Sequence, residues 1–464
     1  MVDEMRWDCL SMRGHPDVST PNLDRFAAGA HDFTRAYTSS PVCSPARMSL
    51  FTGRYTPAHR CPPNTTPTRF PAPNEVPLPW ILQQYGYHTG IAGKIHLNGS
   101  GSRGFDDVHM FAQGDSGFAE SGESYREWIE KRHPGLSVHC GEGTCTTEAL
   151  PETIYTPDPG EFLIGTARLE DQEYQTAWAA DHCIEFLREH RDDQTPWFFH
   201  CSTLHPHSPF VIPEPWASMY DPADLELPDV PEETVDRVRR KLETLEKPHD
   251  IRQYILDTEY LRAIMAKYYG AIRMVDHHFG RILDELDRLG LAETTLVVFV
   301  SDHGNMMGDH GRMFKFCMYD GSTRIPLMIR RPAQREANTV DEVVEITDVM
   351  PTLLDYCGIP IRDGIQGQSM LALMNGEHSD WKNTAFADLW DWMLVDGDFK
   401  LMTYNADFAD QRHKRGDWKL FNLREDPGEF HDLADRPEHA GRIRKMKARI
   451  QDHLGDTPPP PAYP

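Results

Sequence analysis

Cys43 is followed by Pro45 and Arg47 in the run Pro41-Val42-Cys43-Ser44-Pro45-Ala46-Arg47-Met48-Ser49-Leu50-Phe51-Thr52-Gly53. Proline at a first helical position presets the backbone without removing a needed N–H, so the run predicts a helix that opens just after Cys43. Free N–H groups and the helix dipole favour an anion at such an end, and Arg47, one turn on, points back toward it. A reactive thiol, an anion-attracting backbone and a fixed positive charge therefore converge. A buried cysteine in a helix cap is the plainer reading of Cys43 alone. Other polar residues decide against it. Lys94 and His96 close a short apolar run that begins at His88. His207 sits between prolines, just after the apolar run Trp197 to Cys201, and Asp302-His303 follow Val297 to Val300. Each taken singly reads equally well as a turn cap, a packed loop residue or a solvated lysine. In layered α/β proteins, however, ligands bind beyond the C-terminal ends of the strands, so these residues are expected to share one crevice.

The elements that must position them can be read from periodicity. Thr20-Pro21 ahead of Asn22 to Ala27 reads as a cap, a proline at the first helical position and a short helix. Helices are predicted around Trp80 to Tyr85, over Tyr174 to His190 and near Val349 to Tyr356. The clearest runs from Ile264 to Leu289, where Ile272, Val275, Phe279, Ile282, Leu286 and Leu289 recur at helical spacing before Gly290. Strands are predicted at 88–94, 197–201, 295–300 and 326–329. The third is apolar throughout, as expected of a parallel strand covered on both faces. Strands alternating with helices indicate an α/β layered domain. Residues 99–170 read as long surface loops lining a site, and 211–255 carry no readable pattern. After about residue 370 the pattern changes to short aromatic segments. Asp396-Gly397 between two of them signals a hairpin, and an amphipathic helix from Ala440 to Leu454 precedes an extended proline-rich tail. The expected division is a catalytic α/β domain over 1–370 and a C-terminal subdomain over 371–464, built from a small antiparallel sheet and the final helix.

Composition narrows the function. The chain has 464 residues, 39% hydrophobic and 26% charged, an ordinary globular balance. A formal net charge of −25 argues against a nucleic-acid partner and requires any site for an anion to carry strong local positive charge. No run of about 18 apolar residues suggests a membrane span, and the first residues lack the apolar core of a signal peptide, so the expected compartment is cytoplasmic. Nine widely spread cysteines do not form a disulfide framework or a repeated zinc motif. Cys140 and Cys145, though close in sequence, are expected to be free thiols.

The motifs together resemble the sulfatase family of the alkaline-phosphatase-like superfamily. Cys43-Ser44-Pro45-Ala46-Arg47 through Gly53 is similar to its first signature. Gly86-Tyr87-His88-Thr89-Gly90-Ile91-Ala92-Gly93-Lys94-Ile95-His96 resembles the second, with Ile95 where an aromatic residue is usual. Pro206-His207-Ser208-Pro209 resembles its histidine loop, Ser301-Asp302-His303-Gly304 with Lys315 its metal-and-lysine segment, and Asp426 to Glu429 its C-terminal subdomain. The pieces occur in order over most of the chain.

The resemblance implies a mixed, mostly parallel central sheet flanked by helices and hydrolysis of a sulfate ester, a sugar or aryl sulfate, to alcohol and sulfate. It implies that Cys43 is converted to formylglycine by a formylglycine-generating enzyme, the hydrate being the nucleophile. Arg47 would hold that hydrate; Lys94, Lys315 and His207 would bind sulfate oxygens; His96 would act as a base; and His207 or Lys315 would protonate the leaving oxygen. One divalent metal, Ca2+ by family and Mn2+ or Mg2+ by ligand chemistry, would be held by Asp3, Asp302, His303 and position 43, with Glu4 as a further candidate where the family usually has Asp. Family members also carry an apolar strand just before the metal aspartate, whereas only Met1-Val2 precede Asp3 here. Either the start lies upstream or a core strand is lacking. The competing readings are a phosphonate monoester or phosphodiester hydrolase of the same superfamily and a non-catalytic binding protein.

Overall fold

The computed structural model describes residues 1–63, 75–97, 104–111, 123–134, 138–141, 144–147, 164–243, 256–404 and 417–458. The fold is α/β, with a mixed sheet and flanking helices. In the larger sheet β1 (His31–Tyr37) lies between parallel β12 (Asn338–Glu345) and the antiparallel pair β10 (Arg324–Ile325) and β11 (Leu327–Arg330), and β11 carries β9 (Val297–Val300). A second sheet is wholly parallel, with β2 (His88–Gly93) between β3 (Asp107–Met110) and β7 (Trp197–Ser202). Short pairs add β4 (Val138–Gly141) to β5 (Thr144–Thr147) and β6 (Ile164–Thr166) to β8 (Phe210–Ile212).

The first residues of the chain form a rung between the two sheets. Val2 N–H donates to the Val300 carbonyl at 2.9 Å, and Thr203 N–H donates to the Met1 carbonyl at 3.1 Å. Val2 thereby bridges Ser301, and Asp3 bridges Pro206, both in parallel sense. The position of Asp3 is thus set by backbone bonds to residues at the ends of β9 and β7. Behind the rung lies a cavity of about 640 Å³, lined by Val2, Leu187, Phe198, Phe279, Val298 and Leu353 among others.

The helix expected over 264–289 is longer, α8 (Thr258–Leu289). Its Asp257 cap accepts from Tyr260 N–H, and Gly290 closes it at φ +74°. Its apolar stripe, including Ile264, Tyr268, Ile272, Val275, Leu283 and Leu286, is buried in the core. The stripe buries because 32 residues at one rise per residue present a long face to the layer below. The other expected helices appear as α1 (Pro21–Ala27), α4 (Leu78–Gln84), α6 (Gln175–Glu189), α9 (Val349–Tyr356) and α10 (Ala440–Gly455).

Several expectations are corrected. The helix α2 (Cys43–Thr52) opens on Cys43 itself; Val42 is its extended cap and Pro45 its third residue. First-turn N–H groups have no intrahelical acceptor, so proline is tolerated there too. The strand at Val297–Val300 pairs antiparallel with Leu327–Arg330, because an apolar run alone does not reveal the sense of its neighbour. The stretch expected to be loop from 99 to 170 contains β3 and α5 (Tyr125–Arg132), the latter opened by a Ser124–Glu127 capping box. Within 211–255, α7 (Glu232–Glu243) forms. Much of both stretches, and the tail beyond Pro458, lies outside the described residues. Cys9, Cys43, Cys61, Cys183, Cys201, Cys317 and Cys357 are free thiols; the side chains of Cys140 and Cys145 lie outside the described residues. Among the described residues no helix is long and apolar enough to cross a membrane.

The C-terminal part is an antiparallel meander, β13 (Thr384–Asp388), β14 (Trp392–Asp396), β15 (Phe399–Tyr404) and β16 (Asp417–Asn422), against which α10 packs. Its hairpin turns at Gly397-Asp398, with Gly397 at φ +56°. Lys400 on β15 is fully buried and reaches Asp320 at 2.8 Å and Glu429 at 2.7 Å. Removing the cation strands two buried carboxylates. Lys400→Met is therefore expected to cost about 3–5 kcal/mol, visible as a lower urea midpoint with an unchanged slope.

His59, at the end of α3 (Thr56–His59), shows a second buried device. Its Nδ1 accepts from Cys61 N–H at 3.0 Å, which leaves Nε2–H to donate to Ser49 Oγ at 2.9 Å. Burial, and then Arg54, push its pKa down to about 3. The unfolded chain binds a proton here below about pH 6.5 and the native one does not. Stability is therefore complete above that pH and falls as pH drops toward the folded value, by about 1.4 kcal/mol per unit for this group. Urea unfolding at pH 7 and pH 5 measures the slope, which should flatten in His59→Gln.

Candidate active site

The ends of β2, β7 and β9, the opening rung and the start of α2 meet at one buried point. Cys43 has 0% exposure. Its sulfur lies 3.2 Å from His303 Nε2, 3.4 Å from Lys315 Nζ, 3.6 Å from Asp3 Oδ1 and 3.9 Å from Lys94 Nζ. Burial alone would push the thiol's pKa up, but Lys315, Lys94 and His303 outweigh it and hold it well below the usual thiol range. Position 43 thus favours negative charge, which is what an attacking oxygen there would carry.

Arg47, a turn further along α2, is turned inward. Its Nε donates to Asp302 Oδ2 at 2.8 Å, Nη2 lies 3.2 Å from Asp3 Oδ2, and Nη1 donates to the Lys94 carbonyl and to Ser202 Oγ. Burial would lower its pKa, but Asp302 and Asp3 raise it above the usual value. It is a fork beneath two carboxylates.

Lys94 follows Gly93, which has φ +101° and where a Cβ would stand 1.9 Å from the Ser202 carbonyl oxygen. Only glycine lets β2 approach β7 so closely, and Lys94 N–H then donates to that same carbonyl at 3.0 Å. The Lys94 ammonium reaches Asp3 Oδ2 at 2.5 Å. His96 adopts a left-handed φ of +52° and faces Cys43; burial, and then Lys94, lower its pKa. A neutral imidazole is the form a base requires.

On the other side, Lys315 Nζ lies 3.0 Å from Glu4 Oε2. Burial opposes its charge, but Cys43 and Glu4 hold its pKa above the usual value. His207 Nδ1 is hydrogen-bonded to the Ser208 carbonyl, which directs Nε2 to within 3.3 Å of Glu4 Oε2. Its side chain is 17% exposed, whereas Cys43, Arg47, Lys94 and Lys315 are buried, which places it toward the mouth.

Asp3, Cys43, Asp302 and His303 each direct one donor atom into a common space, all within 4.8 Å of one another. His303 Nε2 is 3.9 Å from Asp3 Oδ1 and 3.8 Å from Asp302 Oδ1, too long for hydrogen bonds but suited to donors sharing an ion. His303 Nδ1 sits 3.0 Å from the Gly304 carbonyl, an outer-shell bond that turns the Nε2 lone pair inward. Burial disfavours charge on His303, yet Asp302 and Cys43 raise its pKa to about 9. The pocket therefore favours positive charge here, and this donor set fits a divalent cation. Glu4 lies outside that group of four. Its Oε1 accepts from Asn305 Nδ2 at 2.7 Å while its Oε2 meets Lys315 and His207.

The structure thus brings Cys43, Arg47, Lys94, His96, His207, Lys315, Asp3, Glu4, Asp302 and His303 together. Asn305 and Ser202 also belong to the cluster. Asn305, two residues past His303, could have been noticed; nothing in the sequence marks Ser202. The arrangement can bind a tetrahedral anion between Lys94, Lys315 and His207, with a nucleophile at position 43.

The family model described as Sulfatase matches residues 1–359, and one described as N-sulphoglucosamine sulphohydrolase, C-terminal, matches 308–455. The chain is 30% identical over 471 residues to an arylsulfatase of Clostridium perfringens, covering 96% of this chain and 92% of that protein. Among solved structures it is similar to a phosphonate monoester hydrolase of Agrobacterium radiobacter, with TM-score 0.77 and 26% identity over 97% of this chain and 94% of that one. A structure in complex with D-glucosamine-2-N,6-O-disulfate, its substrate, shares the fold at TM-score 0.70 and 21% identity, covering 98% and 97% of the two chains.

Proposed function

The chain belongs to the sulfatase family of sulfuric ester hydrolases, in the alkaline-phosphatase-like superfamily, and from that premise we propose that it cleaves a sugar or aryl sulfate with a formylglycine made from Cys43. The observation that carries the reading is the convergence of Lys94, Lys315 and His207 on position 43, beside the donor group of Asp3, Asp302 and His303. Converted to formylglycine by a generating enzyme, position 43 supplies a hydrated aldehyde with one oxygen to attack sulfur and a second through which sulfate is later released. A divalent ion, Ca2+ in our reading, supplies Lewis acidity at that residue when bound.

The chain's own residues do the rest. Lys94 and Lys315 neutralise the sulfate oxygens in ground and transition states. His207, at the mouth, donates the proton to the leaving alcohol oxygen. His96, held neutral, takes the proton that frees sulfate. Arg47 keeps the Asp3 and Asp302 oxygens apart and oriented. Phe316 and Trp390, half-buried and stacked 5.6 Å apart beside Lys315, offer an aromatic face to the sugar or aryl part of the ester. A sulfated saccharide is supported by the glucosamine disulfate bound in one structural relative. The same reading assigns the chemistry to residues 1–370 and a supporting subdomain to 371–464.

The likeness to a phosphonate monoester hydrolase favours a second reading, cleavage of phosphonate monoesters or phosphodiesters. Formylglycine-bearing protein assayed on matched aryl sulfate and aryl phosphodiester substrates separates the two. The sulfatase reading expects kcat/KM to favour the sulfate; a phosphodiester preference of several orders of magnitude would overturn it. Peptide mass spectrometry across Cys43 tests the nucleophile. Unmodified cysteine from a host that has the converting enzyme, with no bound metal, would mark a binding protein instead. A screen over sulfated sugars, aryl sulfates and choline sulfate identifies the ester.

A further inference from the structure

The end of β2 opposite Lys94 carries a second cluster. His88 opens β2, Asp107 opens β3 and His190 caps the end of α6. Six strand residues separate this end from Lys94, so the cluster lies roughly 20 Å from the active site at about 3.3 Å per residue. Both imidazoles aim Nε2 at one carboxylate oxygen. His88 Nε2 lies 2.6 Å and His190 Nε2 3.9 Å from Asp107 Oδ2. The two values straddle the ~3.3 Å edge of a tetrahedron with bonds of about 2.0–2.1 Å. The three donor atoms all fall within 4.8 Å of one another.

Each imidazole also has a carboxylate behind it. His190 Nδ1 is 2.7 Å from Asp193 Oδ2, and His88 Nδ1 faces Asp106 Oδ2 at 3.7 Å. Asp106 is itself fixed by Thr89 N–H at 2.9 Å and Gln83 Nε2 at 2.7 Å. The Asp193 carboxylate on His190 Nδ1 fixes the tautomer that leaves Nε2 as a lone pair, the outer-shell arrangement of metal-bound histidine, whereas His88 Nε2–H itself donates to Asp107 Oδ2, a proton that a bound ion would displace. Phe186 packs against both rings and limits their rotation. Three carboxylates face two imidazoles; the neighbouring Arg191 is directed to Asp192, 3.7 Å away. The groups are half-open, with side-chain exposures of 32%, 17% and 40% for His88, His190 and Asp107, so an ion can enter.

A similar group at Asp171, His277 and His278 lacks these features. There Asp171 Oδ1 accepts from Trp216 Nε1 at 2.6 Å, and Arg281 Nη1 sits 3.0 Å from His278 Nδ1. The carboxylate oxygen there is held by an indole that is no ligand, and a guanidinium already faces the second imidazole.

We propose that His88, Asp107 and His190 form a second divalent-metal site, of zinc type, separate from the catalytic centre. Two imidazoles and one carboxylate suit a borderline ion such as Zn2+, with water completing the shell. The bound ion ties β2, β3 and the end of α6 together.

The test uses the full chain, stripped with a chelator and titrated with Zn2+ by calorimetry. Wild type is expected to bind one equivalent more than His88→Ala/His190→Ala, and to gain about 2–3 °C in Tm at a hundredfold excess over Kd that the variant does not gain. Asp107→Asn provides a second variant should the double one misfold. In wild type alone, Zn2+ should protect both His88 and His190 from diethyl pyrocarbonate, read by peptide mass spectrometry. Equal stoichiometry in wild type and variants, or unprotected histidines in zinc-saturated wild type, overturns the proposal.

Discussion

Cys43→Ala should lose turnover by about four orders of magnitude or more while unfolding at nearly the wild-type temperature. The thiol is buried among Lys94, Lys315 and His303 and supports no strand or helix contact that alanine could not make. Removing its sulfur costs only about 1 kcal/mol of packing, whereas removing the nucleophile removes the covalent step. Cys43→Ser discriminates further. Serine restores an oxygen but lacks the second hydroxyl of a hydrated aldehyde, so it could accept sulfate and not release it. A burst of about one product equivalent followed by arrest is the expected signature. Near-wild-type steady-state turnover in either variant would refute the assignment.

Arg47→Met is expected to act on both stability and activity. The guanidinium has 0% exposure, and so do Asp302 and Asp3, which it pairs. A methionine fills similar volume but leaves two desolvated carboxylates, Asp3 with Lys94 and Asp302 with the more distant His303 imidazole. Breaking such a buried pair costs about 3–5 kcal/mol, or roughly 3–5 °C in Tm for a chain of this length. The Lys94 carbonyl and Ser202 hydroxyl lose their donor as well, so Lys94 shifts and kcat/KM falls by about a hundredfold or more. Arg47→Lys keeps the charge but not the fork, and should recover much of the stability and little of the rate. Scanning calorimetry and steady-state kinetics on the three proteins separate these effects.

Motif chemistry was readable where a residue and its local backbone lie in one short run. Cys43 to Gly53, Lys94 after Gly93 and Asp302-His303 after an apolar strand all carry their own geometry. The contribution of Asp3 depends on a rung that exists only once Ser301 and Pro206 arrive beside it. Glu4 could not be placed from spacing, because its orientation is decided by Asn305 and Lys315, about 300 residues away. Strand β3 escaped notice because four residues of mixed polarity carry too little pattern, and α7 because its charges obscure a narrow apolar face. The antiparallel sense of β9 follows from the return of the chain at 327–330, which no single strand encodes. The cluster of His88, Asp107 and His190 spans three elements and has no sequence spacing to read.

The complete burial of Cys43 sets a deadline during synthesis. In the finished fold the thiol is out of an enzyme's reach, so the conversion to formylglycine proposed above would have to occur on a chain that has not yet closed. Closure waits for Lys315, which is 272 residues later in the sequence. At about 5–20 residues per second the interval is roughly 15–55 s, and it ends whether or not the thiol has been converted. Yield of active enzyme is then a race between modification and folding. Slowing translation or folding would raise the active fraction, while adding the converting enzyme to folded protein would rescue none.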